Sequence, residues 1–239
     1  MNNNYCLSGT KIVIRRLFKQ DTADILSCYE EYNTLFHNPV SAEYLENIFL
    51  CGEIWGAYLG GSIIGCCYYF PMDSGFFRNT AFGSALADFT DCTGKYYFMG
   101  YMGIKHKNIS YGSNCSNLPT ESGLYQAFSN VAQMQAFRRG LKYIMHACPV
   151  KKSRCAETLF CCGYSLIKIR GLENLVVHYI YVKPVFNEEN IYGTDINSEP
   201  LKVCLSDTKK VSALLENGYC GVDYSKAENL LYIRRLIAD

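Results

Sequence analysis

No apolar run in these 239 residues approaches the roughly 18–20 needed to cross a bilayer as a helix, so a helical membrane protein is not expected. A surplus of positive charge is missing as well. The chain has 23 basic and 22 acidic residues, whereas nucleic-acid binding normally leaves a basic excess. Zinc-site spacing is absent: no Cys-x-x-Cys occurs, and the four histidines (His37, His106, His146, His178) are scattered. Disorder is excluded by composition, with 49% apolar and 19% charged residues. Met1-Asn2-Asn3-Asn4 shows neither the basic nor the apolar stretch of a secretory leader. Cysteine, in contrast, is plentiful at 13, an odd number. Several cysteines sit in apolar runs such as Ile64-Gly65-Cys66-Cys67-Tyr68 and Phe160-Cys161-Cys162, so they read as buried free thiols in a reducing compartment. The expectation is a cytoplasmic, near-neutral globular protein with no nucleic-acid and no membrane partner.

Along the chain, alternation over Thr10–Arg16 predicts a strand, and Asp21-Thr22 caps a helix reaching about Phe36. Ser41 opens a second helix that ends near Gly52. Ile54–Leu59 and Ser62–Phe70 flank Gly60-Gly61, a two-residue turn signal for a hairpin. A short helix is expected around Ser84–Phe89. Tyr96–Ile104 lacks alternation and reads as a central strand covered on both faces. A polar connection over Lys105–Pro119 leads to a long helix from Thr120 to Arg139, closed by Gly140. Lys142–Cys148 reads as a strand and Lys151–Cys162 as a helix, before a strand pair over Tyr164–Arg170 and Val176–Val185. The fold class is α/β: a mixed central sheet in the order β-α-α-β-β-β-α-β-α-β-β. A body over residues 1–186 is followed by an extension over 187–239. That extension carries a strand (Leu201–Leu205), a helix (Asp207–Asn217) and strand-like Leu230–Leu236. It is too apolar to hang free, so it packs on the body or on a second copy around a two-fold axis, a possible homodimer.

This order resembles the GNAT superfamily of acyl-CoA N-acyltransferases over residues 10–185. Three segments carry the resemblance: the hairpin Trp55–Gly65, the strand Tyr96–Ile104 followed by a helix ending Arg139-Gly140-Leu141, and Ala156–Tyr164 with its closing Gly163-Tyr164. The resemblance implies acetyl-CoA as cosubstrate. Its pantetheine would pair with the backbone of the central strand at Gly103 and Ile104. Its pyrophosphate would sit on the next helix start at Ser122, Gly123 and Leu124, where orphan amides and the helix dipole favour anions. The family motif there is Gln or Arg, two residues, Gly, one residue, then Gly or Ala. In Thr120-Glu121-Ser122-Gly123-Leu124-Tyr125 only Gly123 matches. The phenol that many members carry on the following helix falls on Leu159 or Phe160, depending on register, so that helix supplies none.

Under the resemblance, His146 is the candidate base, since amine acylation must remove a proton and histidine suits neutral pH. Tyr101, mid-strand beside the implied acyl group, is the candidate proton donor or orienting hydrogen bond. Cys148 shares the alternation of His146. Asp73 and Glu53 flank the hairpin and read as solvated loop acids, and Lys105-His106-Lys107 could attract a ligand phosphate. Two functions follow: transfer of an acetyl group to a small-molecule or peptide amine, or a GNAT-fold binding or interaction module without the reaction.

Overall fold

A computed structural model describes residues 3–7, 10–35, 40–75, 86, 95–105, 120–150, 154–172, 176–186, 194–195 and 197–236. Among these residues eleven strands form one sheet: β1 (Asn3–Leu7), β2 (Thr10–Leu17), β3 (Glu53–Leu59), β4 (Ser62–Pro71), β5 (Tyr96–Ile104), β6 (Tyr143–Pro149), β7 (Ser165–Leu172), β8 (Val176–Pro184), β9 (Leu201–Cys204), β10 (Tyr219–Ser225) and β11 (Leu230–Arg235). Their spatial order is β1-β2-β3-β4-β5-β6-β8-β7-β10-β11-β9. Among the described residues every strand pairing is antiparallel except that of β5 with β6. Parallel neighbours need a long crossover, and helix α3 (Glu121–Arg138) supplies it.

Helices α1 (Thr22–Leu35) and α2 (Ala42–Cys51) cover one face, burying Ile25, Tyr29, Leu45 and Ile48 against Ile54, Tyr68, Phe70 and Phe98. Helix α3, with α4 (Arg154–Cys161) and α5 (Thr208–Glu216), covers the other. There Leu124, Phe128, Val131, Leu159 and Val211 meet Tyr69, Tyr97, Ile144 and Tyr181. Local chemistry explains the helix starts: the side chains of Ser41, Thr120 and Asp207 accept from the backbone N–H three residues on. Gly60 and Gly61 turn the β3–β4 hairpin with φ of 57° and 84°. None of the described helices is long and apolar enough to cross a membrane.

Two strands were not foreseen. β1 begins in an asparagine run with no apolar alternation, yet pairs along its length with β2. β10 is largely polar toward its end and carries a register shift between Gly221 and Asp223, which breaks the period-2 signal. The expected short helix at Ser84–Phe89 lies mostly outside the described residues. β10 pairs with β7 at Gly221↔Leu166, so the extension continues the sheet of the body. Its Val203, Leu205, Val211, Leu215, Leu231 and Ile233 share the α3-side core, and the Tyr179 hydroxyl donates to the Leu205 carbonyl at 2.5 Å.

Candidate functional site

The parallel ladder between β5 and β6 is short. It runs from Tyr96↔Tyr143 to Met99↔His146 and stops. β5 then continues to Ile104 against β4, while β6 continues to Pro149 against β8. The strands therefore diverge after Met99 and His146. From Gly100 to Ile104, β5 has no strand partner on its β6 side among the described residues. Its backbone there is an edge inside the sheet, ready to pair with an extended ligand.

A bulge marks the start of this divergence. Cys67 pairs with Met102 and Tyr69 with Met99, so Gly100 and Tyr101 together face Tyr68. Bulges bend a strand and re-aim its side chains. Position 100 must be glycine, because a Cβ there would overlap the Tyr68 ring. The bulged Tyr101 reaches across the gap: its hydroxyl lies 2.5 Å from Nε2 of His178 on β8, and its carbonyl accepts from the Tyr29 hydroxyl of α1 at 2.8 Å.

His146 sits where the strands part. Its Nδ1 is 2.9 Å from the Met99 carbonyl oxygen. A carbonyl only accepts, so Nδ1 carries the proton and Nε2 presents a lone pair. Nε2 is buried and has no hydrogen-bond partner among the described residues. Burial pushes the imidazole pKa down to about 4, with the Met99 carbonyl acting in the opposite sense and nearby His178 adding to the fall. The ring stands edge-on to Tyr101 and to Tyr125 of α3, with centroids 6.4 and 6.1 Å apart.

The structure thus brings His146 and Tyr101 together. Cys148 lies two residues beyond His146, buried in the α3-side core. Gly103 and Ile104 lie on the diverging part of β5, with Gly103 close against the backbone of Cys28. Ser122, Gly123 and Leu124 form the first turn of α3, as the spacing predicts. The Gly123 amide donates to the Thr120 hydroxyl at 3.1 Å, and that hydroxyl is also 3.1 Å from the Ser122 hydroxyl. Lys105 is described, whereas His106 and Lys107 lie outside the described residues. Sequence reasoning missed His178. Its role depends on β8 inserting beside β6, and strand order across a crossover leaves no local signal.

No protein-family profile matches this chain, and neither does any curated protein. Solved structures do match in shape. An N-acetyltransferase from Staphylococcus aureus Mu50 gives a TM-score of 0.53 at 8% identity, over 74% of this chain and 99% of its own. The GNAT domain of PAT from S. lividans gives 0.52 at 16%, over 75% and 95%. The structure of yncA from Salmonella typhimurium with its cofactor acetyl-CoA gives 0.52 at 11%, over 74% and 95%. The chain has the GNAT fold. Identity this low establishes the GNAT fold alone.

Away from the divergence, one sequence reading needs correction. Asp73 is exposed, but Glu53 is not a solvated loop acid: it is 2% exposed. Its carboxylate accepts from Trp55 Nε1 (3.0 Å), the Tyr97 hydroxyl (2.5 Å) and Arg139 (3.1 Å). It also lines a cavity of about 430 Å³ between α3 and strands β2 and β3, with Arg16, Trp55, Met134 and Arg138 among its walls. With its oxygens so occupied, Glu53 ties the start of β3 to the end of α3.

Proposed function

We propose that the chain is an acyl-CoA-dependent N-acyltransferase, moving an acetyl group from acetyl-CoA to a primary amine of a small molecule or peptide by direct attack. One observation carries the reading: a buried histidine lone pair without a partner, placed where β5 and β6 part. The diverging edge at Gly103 and Ile104 would hold the pantetheine by backbone pairing. The first turn of α3, at Ser122, Gly123 and Leu124, would meet the pyrophosphate. The amine nitrogen attacks the thioester carbonyl carbon, and the electron pair of the C=O bond moves to oxygen. His146 Nε2 then takes the proton that the attacking nitrogen has made acidic. With a pKa near 4, His146 is almost wholly neutral at pH 7, so the Nε2 lone pair is available, while the same low value makes it a weak base whose protonated form gives its proton up readily. Tyr101, fixed by His178, shapes the acyl end of the gap.

The expected result for His146→Gln is a fall of roughly 10²- to 10⁴-fold in amine-dependent thiol release from acetyl-CoA, with CoA affinity little changed. The same histidine makes stability acid-sensitive. Its folded pKa lies below the ordinary 6.5, so the unfolded chain binds its proton first as pH drops. Stability from this group is complete above about pH 6.5 and is lost as pH falls toward 4, by about 3 kcal/mol in all. Chemical unfolding of wild type and His146→Gln at pH 7 and pH 4.5 checks this. An equal acid loss in both proteins would remove His146 from the account.

A second reading, a GNAT-fold module that binds a ligand without transfer, is favoured by the α3 start. The Thr120 hydroxyl already occupies the Gly123 amide, and Glu121 places a carboxylate in the first turn.

A further inference from the structure

The cavity of about 430 Å³ between α3 and strands β2 and β3 lies apart from the β5–β6 gap. In the sheet, β4 stands between β3 and β5, and the gap opens on the far side of β5. Among the described residues, none of those assigned to the acyl-CoA site lines it. Its volume is in the range of pockets that enclose small organic molecules.

The wall is cationic. Arg16 comes from the sheet and Arg138 from the helix, and Arg15 stands at the rim, paired with Asp21 at 2.9 Å. Glu53 is the one carboxylate in the wall among the described residues. Arg139 at 3.1 Å, the Trp55 N–H and the Tyr97 hydroxyl already balance it. Arg16 is 4.0 Å from Glu53 with 48% of its side chain exposed, so it has reach left for a second anion.

The wall is also aromatic. Phe18, just past β2, is 51% exposed, with the Arg16 guanidinium 5.8 Å over its ring. Trp55 offers ring surface, because Glu53 holds its N–H. Gln135 of α3 is only 8% exposed and lines the cavity, and among the described residues its carboxamide makes no hydrogen bond. A buried amide without partners is costly, and leucine at 135 would avoid that cost. A packing role gives no reason for the amide, whereas a polar ligand in the cavity does.

We infer that this cavity binds a phosphate monoester carrying a flat, hydrogen-bonding ring, the chemistry of a nucleoside monophosphate. The planar forks of Arg16 and Arg138 suit phosphate oxygens. The ring would lie against Phe18 and Trp55, where aromatic faces and arginine planes favour stacking. Gln135, with two donors and an acceptor, would read the ring edge. The site uses no residue of the acyltransferase reading and does not depend on it.

Calorimetric titration of the full chain with UMP, CMP, AMP and GMP tests this. At least one should bind saturably, with inorganic phosphate and the parent nucleoside each at least tenfold weaker. Arg16→Ala should weaken binding by roughly 10- to 100-fold, the usual effect of losing a hydrogen bond between charged groups. Gln135→Leu should weaken it several-fold and be at least as heat-resistant as wild type. Saturating CoA should leave the nucleotide affinity unchanged. No binding of any of the four, wild-type affinity in either variant, or displacement by CoA would overturn the inference. Inorganic phosphate binding as tightly as the nucleotide would also overturn it, by leaving the ring surface without a role. So would a Gln135→Leu protein that fails to fold, by showing that the carboxamide has a structural partner. The acyltransferase reading stands or falls separately, on acetyl-CoA.

Discussion

Gly123→Asp is expected to weaken acetyl-CoA binding by several hundredfold or more while the protein stays folded. Gly123 lies in the first turn of α3, where an added carboxylate faces the positive end of the helix dipole and favours the fold by a few tenths of a kcal/mol. The same carboxylate would stand within a few ångströms of a pyrophosphate seated on that turn. Repulsion between two unit charges at 4 Å is about 4 kcal/mol at an effective dielectric of 20. Fold and ligand thus respond with opposite signs, which separates a lost site from a lost structure. Calorimetric titration of the folded variant checks it. An unchanged affinity would mean that the phosphate does not sit at this helix start.

The largest loss of stability is expected from Glu53→Ala. The substitution leaves the Trp55 N–H and the Tyr97 hydroxyl without their acceptor, and leaves Arg139 without its carboxylate 3.1 Å away. Arg16, at 4.0 Å from the same group, loses a weaker and more exposed contact. Removing one partner from a buried charged network costs about 3–5 kcal/mol. For a chain of this size that corresponds to a fall in Tm of about 10 °C, measurable by calorimetry. A fall of under two degrees would show that the network is not what joins β3 to α3.

Much of the fold was legible because its strongest signals are local. The Gly60-Gly61 turn between two apolar runs fixed the β3–β4 hairpin, and the unbroken Tyr96–Ile104 run marked the strand buried between β4 and β6. Thr120 and Gly140 bounded α3 to within a residue. The site was legible in part. His146 and Tyr101 could be singled out because each is a titratable group on a strand that the resemblance places beside the acyl group. Three features were out of reach, and each for a physical reason. The bulge at Gly100-Tyr101 is a property of pairing with β4, not of the β5 sequence. His178 enters the site only because β8 inserts next to β6, where it pairs with Pro149 far along the chain. Glu53 looks like any loop acid until Trp55, Tyr97 and Arg139 converge on it in three dimensions.

The proposed transfer depends on acyl-CoA binding in the gap between β5 and β6. Thermal unfolding with and without acetyl-CoA, with CoA alongside, tests it most directly. Ligand that binds only the folded protein stabilises it by about 2.7 kcal/mol at a hundred times its Kd. A saturable rise in Tm is expected with acetyl-CoA and with CoA. No rise with either at millimolar concentration would contradict it.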